Sequence, residues 1–529
     1  MVNKLLLSLS VFVFLSPVWG ANILGLFSTF SPSHLLVHMS IMKSLADQGH
    51  NVTIVTNFKP KLAPHDNITL ILAPASEERM RGVNQFVENS MKRKPHFIQA
   101  IFNTLTLIYS IMGIQYDFVL HPQVKDIYEN PHVKYDLLVL GYLFNDFQLG
   151  IAAKLQVPAI LSWVGLPLAF VDDTVGNVYD PSYVPIASFV TETTTQSTGL
   201  WWRMHNLFSW TMLKIFSVGN DFVMAFLYKH TFGNDSSMIT YDEAKEKVSL
   251  LFYNYHSQSE GPVRPTVPQS IEIGGIQIKE QRDSLPQELA YFLGNATDGA
   301  IFFSLGTNIK LTFFEPQLLE TIYQVLSHQQ LRVIWKWDDQ VPKPGNASNI
   351  NFHNWLPQDD ILAHPNTKLF ITHAGKGGVA EAQYHGVPML ALPVFTDQPG
   401  NAQLMVASGF GISMDLLTLT KESLEKSIQE VLNNPVYRNN VRKFSDLYRD
   451  RPLTARQSVI YWTEYVMRHK GAYHLRSPIV KLGFVARYNL DVYAILLLIF
   501  VCSIIIFVFL LRFLVNTTLL KTQSKAKIN

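Results

Sequence analysis

The sequence predicts an α/β protein with two doubly wound domains and one helix long enough to cross a membrane. Three observations carry this. Ala21 to Thr29, Leu35 to Gln48 and Asn51 to Thr56 alternate as strand, helix and strand, the unit that starts a parallel sheet. The same order returns within Asn354–Asn401, as an apolar strand, a glycine-rich loop, a helix and a second strand. Val492–Leu511 is a run of twenty residues without a charge.

The chain's 529 residues suffice for two domains with separate cores. A net charge of +2, with no basic stripe, argues against a nucleic-acid partner. Charged residues make up only 16% against 48% hydrophobic, and part of that apolar excess lies at the two ends. Met1–Gly20 has Lys4, an apolar core too short to span a bilayer, and small residues near Ala21, the pattern of a secretory signal. Val492–Leu511 is followed by Arg512, Lys521, Lys525 and Lys527 without an acid, as a cytosolic tail requires. The expectation is a type I, single-pass protein with most of its mass in a lumen. The only cysteine, Cys502, lies inside the span, which excludes a cysteine nucleophile or a thiolate metal site. Asn51, Asn67, Asn234, Asn295 and Asn346 open glycan sequons, Asn51 being the least accessible because it starts a strand.

In the first domain, Phe30-Ser-Pro-Ser-His34 joins the first strand to its helix, so His34 stands where doubly wound sheets bind ligands. Ser76–Tyr128 and Trp201–Lys229 read as long apolar helices, suited equally to a core and to the wall of an acceptor pocket. Tyr135–Leu140 is another strand. Gly274-Gly275 and Ser284-Leu-Pro286 mark the crossover to the second domain. Ala300–Ser304 is its first strand, and the turn at Gly306-Thr307 places Ser304 and Thr307 within reach of a phosphate. Leu331–Trp337 is its second. Lys421–Asn434 and Pro435–His469 read as helices, the last crossing back over the first domain.

Between them, Lys368–Thr372 is a buried-type strand, His373-Ala-Gly-Lys-Gly-Gly378 a loop, Val379–His385 a helix and Met389–Pro393 a strand. A glycine loop at a helix start gathers bare N–H groups and the positive end of the helix dipole, which makes an anion site. Neither the dinucleotide pattern nor the ATP and GTP loop is present. Instead His373 opens the loop, Glu381 lies in the following helix, and Asp397-Gln398 follows the next strand.

This stretch resembles the signature of UDP-glycosyltransferases of the membrane-bound animal type, through Trp355, Gln358, Phe370-Ile-Thr-His373, Gly375, Glu381-Ala382, Gly386-Val-Pro388, Pro393, Asp397-Gln398 and Asn401. The likeness runs over nearly the whole chain. It implies two Rossmann-like domains facing across a cleft, the GT-B arrangement, with an acceptor-binding domain over 21–280 and a UDP-sugar-binding domain over 281–455. Segment 456–491 would pack back on the first domain, ahead of the span at 492–511 and a tail at 512–529. A homo-oligomer is left open. The terminal Lys525 and Lys527 resemble a retrieval signal of the endoplasmic reticulum.

The resemblance also implies roles. Trp355 would stack on uracil, Gln358 would bond the nucleoside or ribose, and Glu381 would accept from the ribose hydroxyls. His373, Gly375 and the loop amides would hold the diphosphate, while Asp397 and Gln398 would take sugar hydroxyls. Ala374, Gly377 and Gly378 depart from the family, which often has glycine, an amide and serine there. His34 would be the general base of an inverting transfer to a hydroxyl of a small lipophilic acceptor. The family's Asp that orients this base falls at Gly141, so Asp146 is the nearest substitute. UDP-sugar is a co-substrate, and no cofactor is expected. No metal is expected either, because the chain has no Asp-x-Asp triplet. The rival expectation is a membrane-anchored binding protein for lipophilic compounds on the same fold, weakly catalytic or inactive for want of the acid.

Overall fold

The computed structural model describes residues 20–60, 63–92, 96–165, 167–186, 199–257 and 264–526. The signal segment before Gly20 and the tail's Lys527 lie outside them. The residues up to Arg476 form one compact unit and those from Ser477 a second.

The first sheet has seven strands: β1 (Asn22–Phe27), β2 (Asn51–Thr56), β3 (Ile68–Leu72), β4 (Leu137–Gly141), β5 (Ala159–Trp163), β6 (Val248–Tyr253) and β7 (Ser270–Glu272). They are parallel in the order β3-β2-β1-β4-β5-β6-β7. The second has β8 (Ala300–Ser304), β9 (Arg332–Lys336), β10 (Ile350–His353), β11 (Thr367–Thr372), β12 (Met389–Ala391) and β13 (Gly411–Ser413). These are parallel in the order β10-β9-β8-β11-β12-β13. Helices cover both faces of each sheet, so central strands such as Leu137-Leu-Val-Leu-Gly141 are buried at every position.

The helices that position the site are α1 (Pro32–Asp47), α2 (Glu77–Lys92), α3 (Phe97–Leu120), α4 (Leu200–Phe232), α5 (Gln358–Leu362), α6 (Lys376–His385), α7 (Gln398–Ala407), α8 (Pro435–Arg449) and α9 (Ala455–Arg468). Two starts differ from the sequence expectation. Pro32 fits the first turn of a helix because its missing N–H needs no partner there, so α1 begins before His34. α6 begins at Lys376, with Gly375 as its cap, so Gly377 and Gly378 belong to its first turn. The expected helix over Pro435–His469 is two helices, broken at Asp450–Thr454, where Pro452 cannot continue the ladder. α9 packs Ala455, Val459 and Val466 into the same core as Leu35, Ile41 and Leu45 of α1.

α2 reaches the other domain: Val87 and Met91 join the core that contains Leu311, Phe314 and Trp335. Phe86 meets Phe395 edge-on at 6.0 Å. Ser31 and Asn308 hydrogen-bond across the cleft at 2.9 Å.

The second unit holds a short helix, Phe484–Arg487, and then α10 (Leu490–Ala526). Leu490–Leu519 of α10 is long and apolar enough to cross a membrane, and its large apolar side chains are exposed.

Candidate active site

Each sheet reverses its winding beside its first strand. β1 lies between β2 and β4, and β8 between β9 and β11. Such switch points leave crevices at the carboxyl ends of the strands. α1 leaves β1 at the first crevice and α6 leaves β11 at the second. His34 and His373 therefore line one cleft, of about 1740 Å³. That exceeds the roughly 300–1,000 Å³ of a pocket for one small molecule.

On the second domain the His373 ring is held between two glycines. A β-carbon at Gly306 would lie 2.5 Å from its Cε1, and one at Gly375 2.4 Å from its Nε2. Only glycine leaves room for the ring on both sides. His373 Nδ1 is buried without a hydrogen-bond partner. Burial lowers its pKa to about 4, the Asp397 carboxylate opposes this, and the Lys336 ammonium adds to it. Ser304 Oγ accepts from Gly306 N at 3.3 Å, tightening the turn that carries Thr307 into the cleft.

Trp355 follows β10 and is 54% exposed at the cleft. Gln358 Nε2 donates to Glu381 Oε2 at 2.6 Å. Glu381 is buried, and its pKa is pushed up to about 8, chiefly by burial and next by the Asp359 carboxylate. It is thus mainly a neutral acid at pH 7.

The loop after β12 is tightly built. Thr396 has φ 55°, costly for a β-branched residue, and its hydroxyl donates to Asp397 Oδ1 at 3.1 Å. Asn401 holds Asp397 Oδ2 at 2.8 Å. The side-chain Oε1 of Gln398 accepts from Val394 N and Phe395 N, so only its Nε2 is left as a side-chain donor.

On the first domain His34 stands in the first turn of α1, partly buried, with Phe30 edge-on at 5.3 Å. Burial lowers its pKa to about 4, against the attraction of Asp397. The wall beside it is apolar, with Phe86, Leu107, Ile108 and Ile111 from α2 and α3 and Phe144 beyond β4. Of the two apolar stretches, the first lines the cleft, and no residue of Trp201–Lys229 does so among the described residues.

Residues 25–526 match the family described as UDP-glucoronosyl and UDP-glucosyl transferase. The chain belongs to that family. A UDP-glycosyltransferase of Dactylopius coccus, UGT5, is 32% identical over 98% of this chain and 98% of its own. UDP-glucuronosyltransferase 2A1 of Rattus norvegicus is 29% identical, over 88% of each chain. Among solved structures, the spinosyn forosaminyltransferase SpnP is 15% identical with a TM-score of 0.51, covering 85% of this chain and 99% of its own. The kitacinnamycin glycotransferase is 16% identical with a TM-score of 0.50, covering 85% and 98%. Those two likenesses concern the fold, which is GT-B.

This UDP-glycosyltransferase departs from expectation at the acid that was to stand beside His34. Asp146 does not reach His34. It lies in a 3-10 turn, Asp146–Gln148, where its Oδ2 accepts from the Tyr142 hydroxyl at 3.3 Å. The turn's other side chains fix that direction: Asn145 donates to Gly141 O at 2.9 Å, and Gln148 donates to Gln115 O at 3.0 Å. Asp146 is buried away from the cleft, and burial raises its pKa to about 6. Nor would an acid fit at Gly141. A β-carbon there would lie 2.9 Å from His38 Nε2 and 3.0 Å from the Phe27 ring. The acid whose charge acts on His34 is Asp397, from the other domain.

Of the three glycine-loop departures, only Gly378 is crowded. Ala374 sits at φ 60°, where glycine is easier, and Asn401 Nδ2 donates to its carbonyl at 3.0 Å. At Gly378 a side chain would meet Gln358 Nε2 at 3.1 Å, whereas at Gly377 the space is open.

Sequence reasoning missed Lys336, whose ammonium donates to Gly306 O at 2.6 Å and lines the cleft near His373. Its place at the carboxyl end of β9 was the available signal. It also missed Gln277 on the crossover.

Proposed function

We propose that this enzyme transfers glucose or glucuronic acid from its UDP-sugar, with inversion, to a hydroxyl of a small lipophilic acceptor. One observation carries this: His34 from one domain, and His373 with the start of α6 from the other, line a single cleft with an apolar wall on the His34 side. UDP would lie on the second domain. Trp355 stacks on the base, Glu381 and Gln358 take the ribose, and His373, Ser304, Thr307 and the amides of Gly375, Gly377 and Gly378 take the diphosphate. The sugar, held by Asp397 and the amide nitrogen of Gln398, then lies between Asp397 and His34, where attack must occur.

His34 is neutral at pH 7 and can accept a proton. As the acceptor oxygen bonds to the anomeric carbon, its proton passes to the imidazole. The bond from that carbon to the β-phosphate oxygen breaks on the opposite face, and its electron pair leaves with UDP. Negative charge grows on the diphosphate beside the α6 amides and Lys336, which meet it without a metal. Asp397 steadies the imidazolium through space rather than by a hydrogen bond.

The anchoring fits the luminal face of the endoplasmic reticulum, with α10 as the span and the lysine-bearing tail in the cytosol. Among the described residues no acid is hydrogen-bonded to His34, which favours a second reading, a weakly catalytic binding protein. His34→Ala separates the two. Loss of turnover by roughly a hundred- to ten-thousand-fold with UDP binding intact supports the enzyme. Unchanged turnover would remove His34 as the base, and no turnover in the unaltered chain with any UDP-sugar would leave the binding protein.

A further inference from the structure

Gln277 lies on the crossover between the domains and lines the cleft. It is only 6% exposed, yet neither its Oε1 nor its Nε2 has a hydrogen-bond partner. A buried amide left unpaired at both ends is rare in a finished structure and points to an absent partner. The place it occupies is specific. A β-carbon at Gly377 would have one neighbour within 4 Å, the Nε2 of Gln277 at 3.9 Å. Gly377 is the second residue of α6, where helix N–H groups lack internal partners and the dipole is positive. Another orphaned atom, His373 Nδ1, belongs to the residue that opens the loop leading into the same helix start.

We propose that Gln277 Nε2 donates to the diphosphate of the UDP-sugar. From the crossover it performs the task that an amide side chain at position 377 would perform from the helix. The inference rests on the donor site proposed above and adds a residue outside the donor motif. It also makes the donor a link between the crossover and the second domain, because the diphosphate would be gripped from both.

The test uses the full-length protein in detergent, with UDP and uridine as probes. Gln277→Ala should weaken UDP by roughly ten- to a hundred-fold, as befits one hydrogen bond to a charged group, and leave uridine within about two-fold. Gln277→Glu, which keeps the shape and adds a negative charge, should weaken UDP further and again spare uridine. Adding Gly377→Asn to Gln277→Ala should restore most of the UDP affinity, since position 377 has room for the side chain. Equal losses for UDP and uridine would mean a structural role and overturn the proposal, as would unchanged UDP affinity in both single variants. If the unaltered protein bound UDP no better than uridine, the diphosphate site itself would fail, a separate outcome.

Discussion

His38 Nε2 lies 2.9 Å from where a β-carbon on Gly141 would stand. The imidazole cannot easily withdraw, since its Nδ1 is 3.1 Å from Ser162 Oγ and its ring stacks on Phe27 at 4.6 Å. Gly141→Asp, which restores the family's acid, should therefore not raise turnover. It should destabilise by about 1–3 kcal/mol through overpacking, visible as a Tm lower by a few degrees. Higher turnover at an unchanged Tm would show that the space is more yielding than this packing implies.

Asp146→Asn should leave kcat and KM nearly unchanged, because the carboxylate faces Tyr142 and not the cleft. Its effect belongs to stability. Burial raises the folded-state pKa from 3.8 to about 6, so the native protein loses stability as pH rises through that window. The variant, neutral throughout, escapes the loss. Its stability relative to wild type should grow between pH 4 and about 6 in denaturant titrations, then level off. A fall in kcat without this trend would return Asp146 to the catalytic machinery.

Gly375→Ala should cost as much UDP affinity as His373→Ala, roughly ten-fold or more. The added methyl would stand 2.4 Å from His373 Nε2 and must displace the ring. Both changes act through one group, so the double variant should bind no worse than either single one. Additive losses, read by calorimetry, would mean that the glycine has a role of its own.

Uridine should bind more tightly as pH rises from 6 to 8. Glu381 is mainly protonated below about 8 in the free protein and must ionise to accept from both ribose hydroxyls, so binding releases a proton. The affinity gain should approach about ten-fold per pH unit at most, and vanish in Glu381→Gln. An affinity that stayed flat over this range would remove Glu381 from the ribose.

The sequence alone determined what local pattern and spacing can encode. Short apolar runs between helical stretches gave two parallel sheets, and the ordered residues from Trp355 to Asn401 marked the candidate donor site. The uncharged run from Val492 marked the apolar helix. In each, the signal and the structure it specifies lie close together in the chain. Tertiary structure alone decided what depends on direction across the fold. Asp146 follows β4 closely enough to stand in for an acid at Gly141, but Asn145 and Gln148, bonded to Gly141 and Gln115, turn it toward Tyr142. His38, one turn past His34, fills the place of the missing carboxylate. Asp397, 363 residues from His34 by numbering, supplies the charge that acts on it. Gln277 comes near the start of α6 only in the folded chain, a hundred residues from Gly377 by numbering. Spacing along the chain fixes which element carries a side chain. Where that side chain points is set by packing and hydrogen bonds to residues far away in sequence.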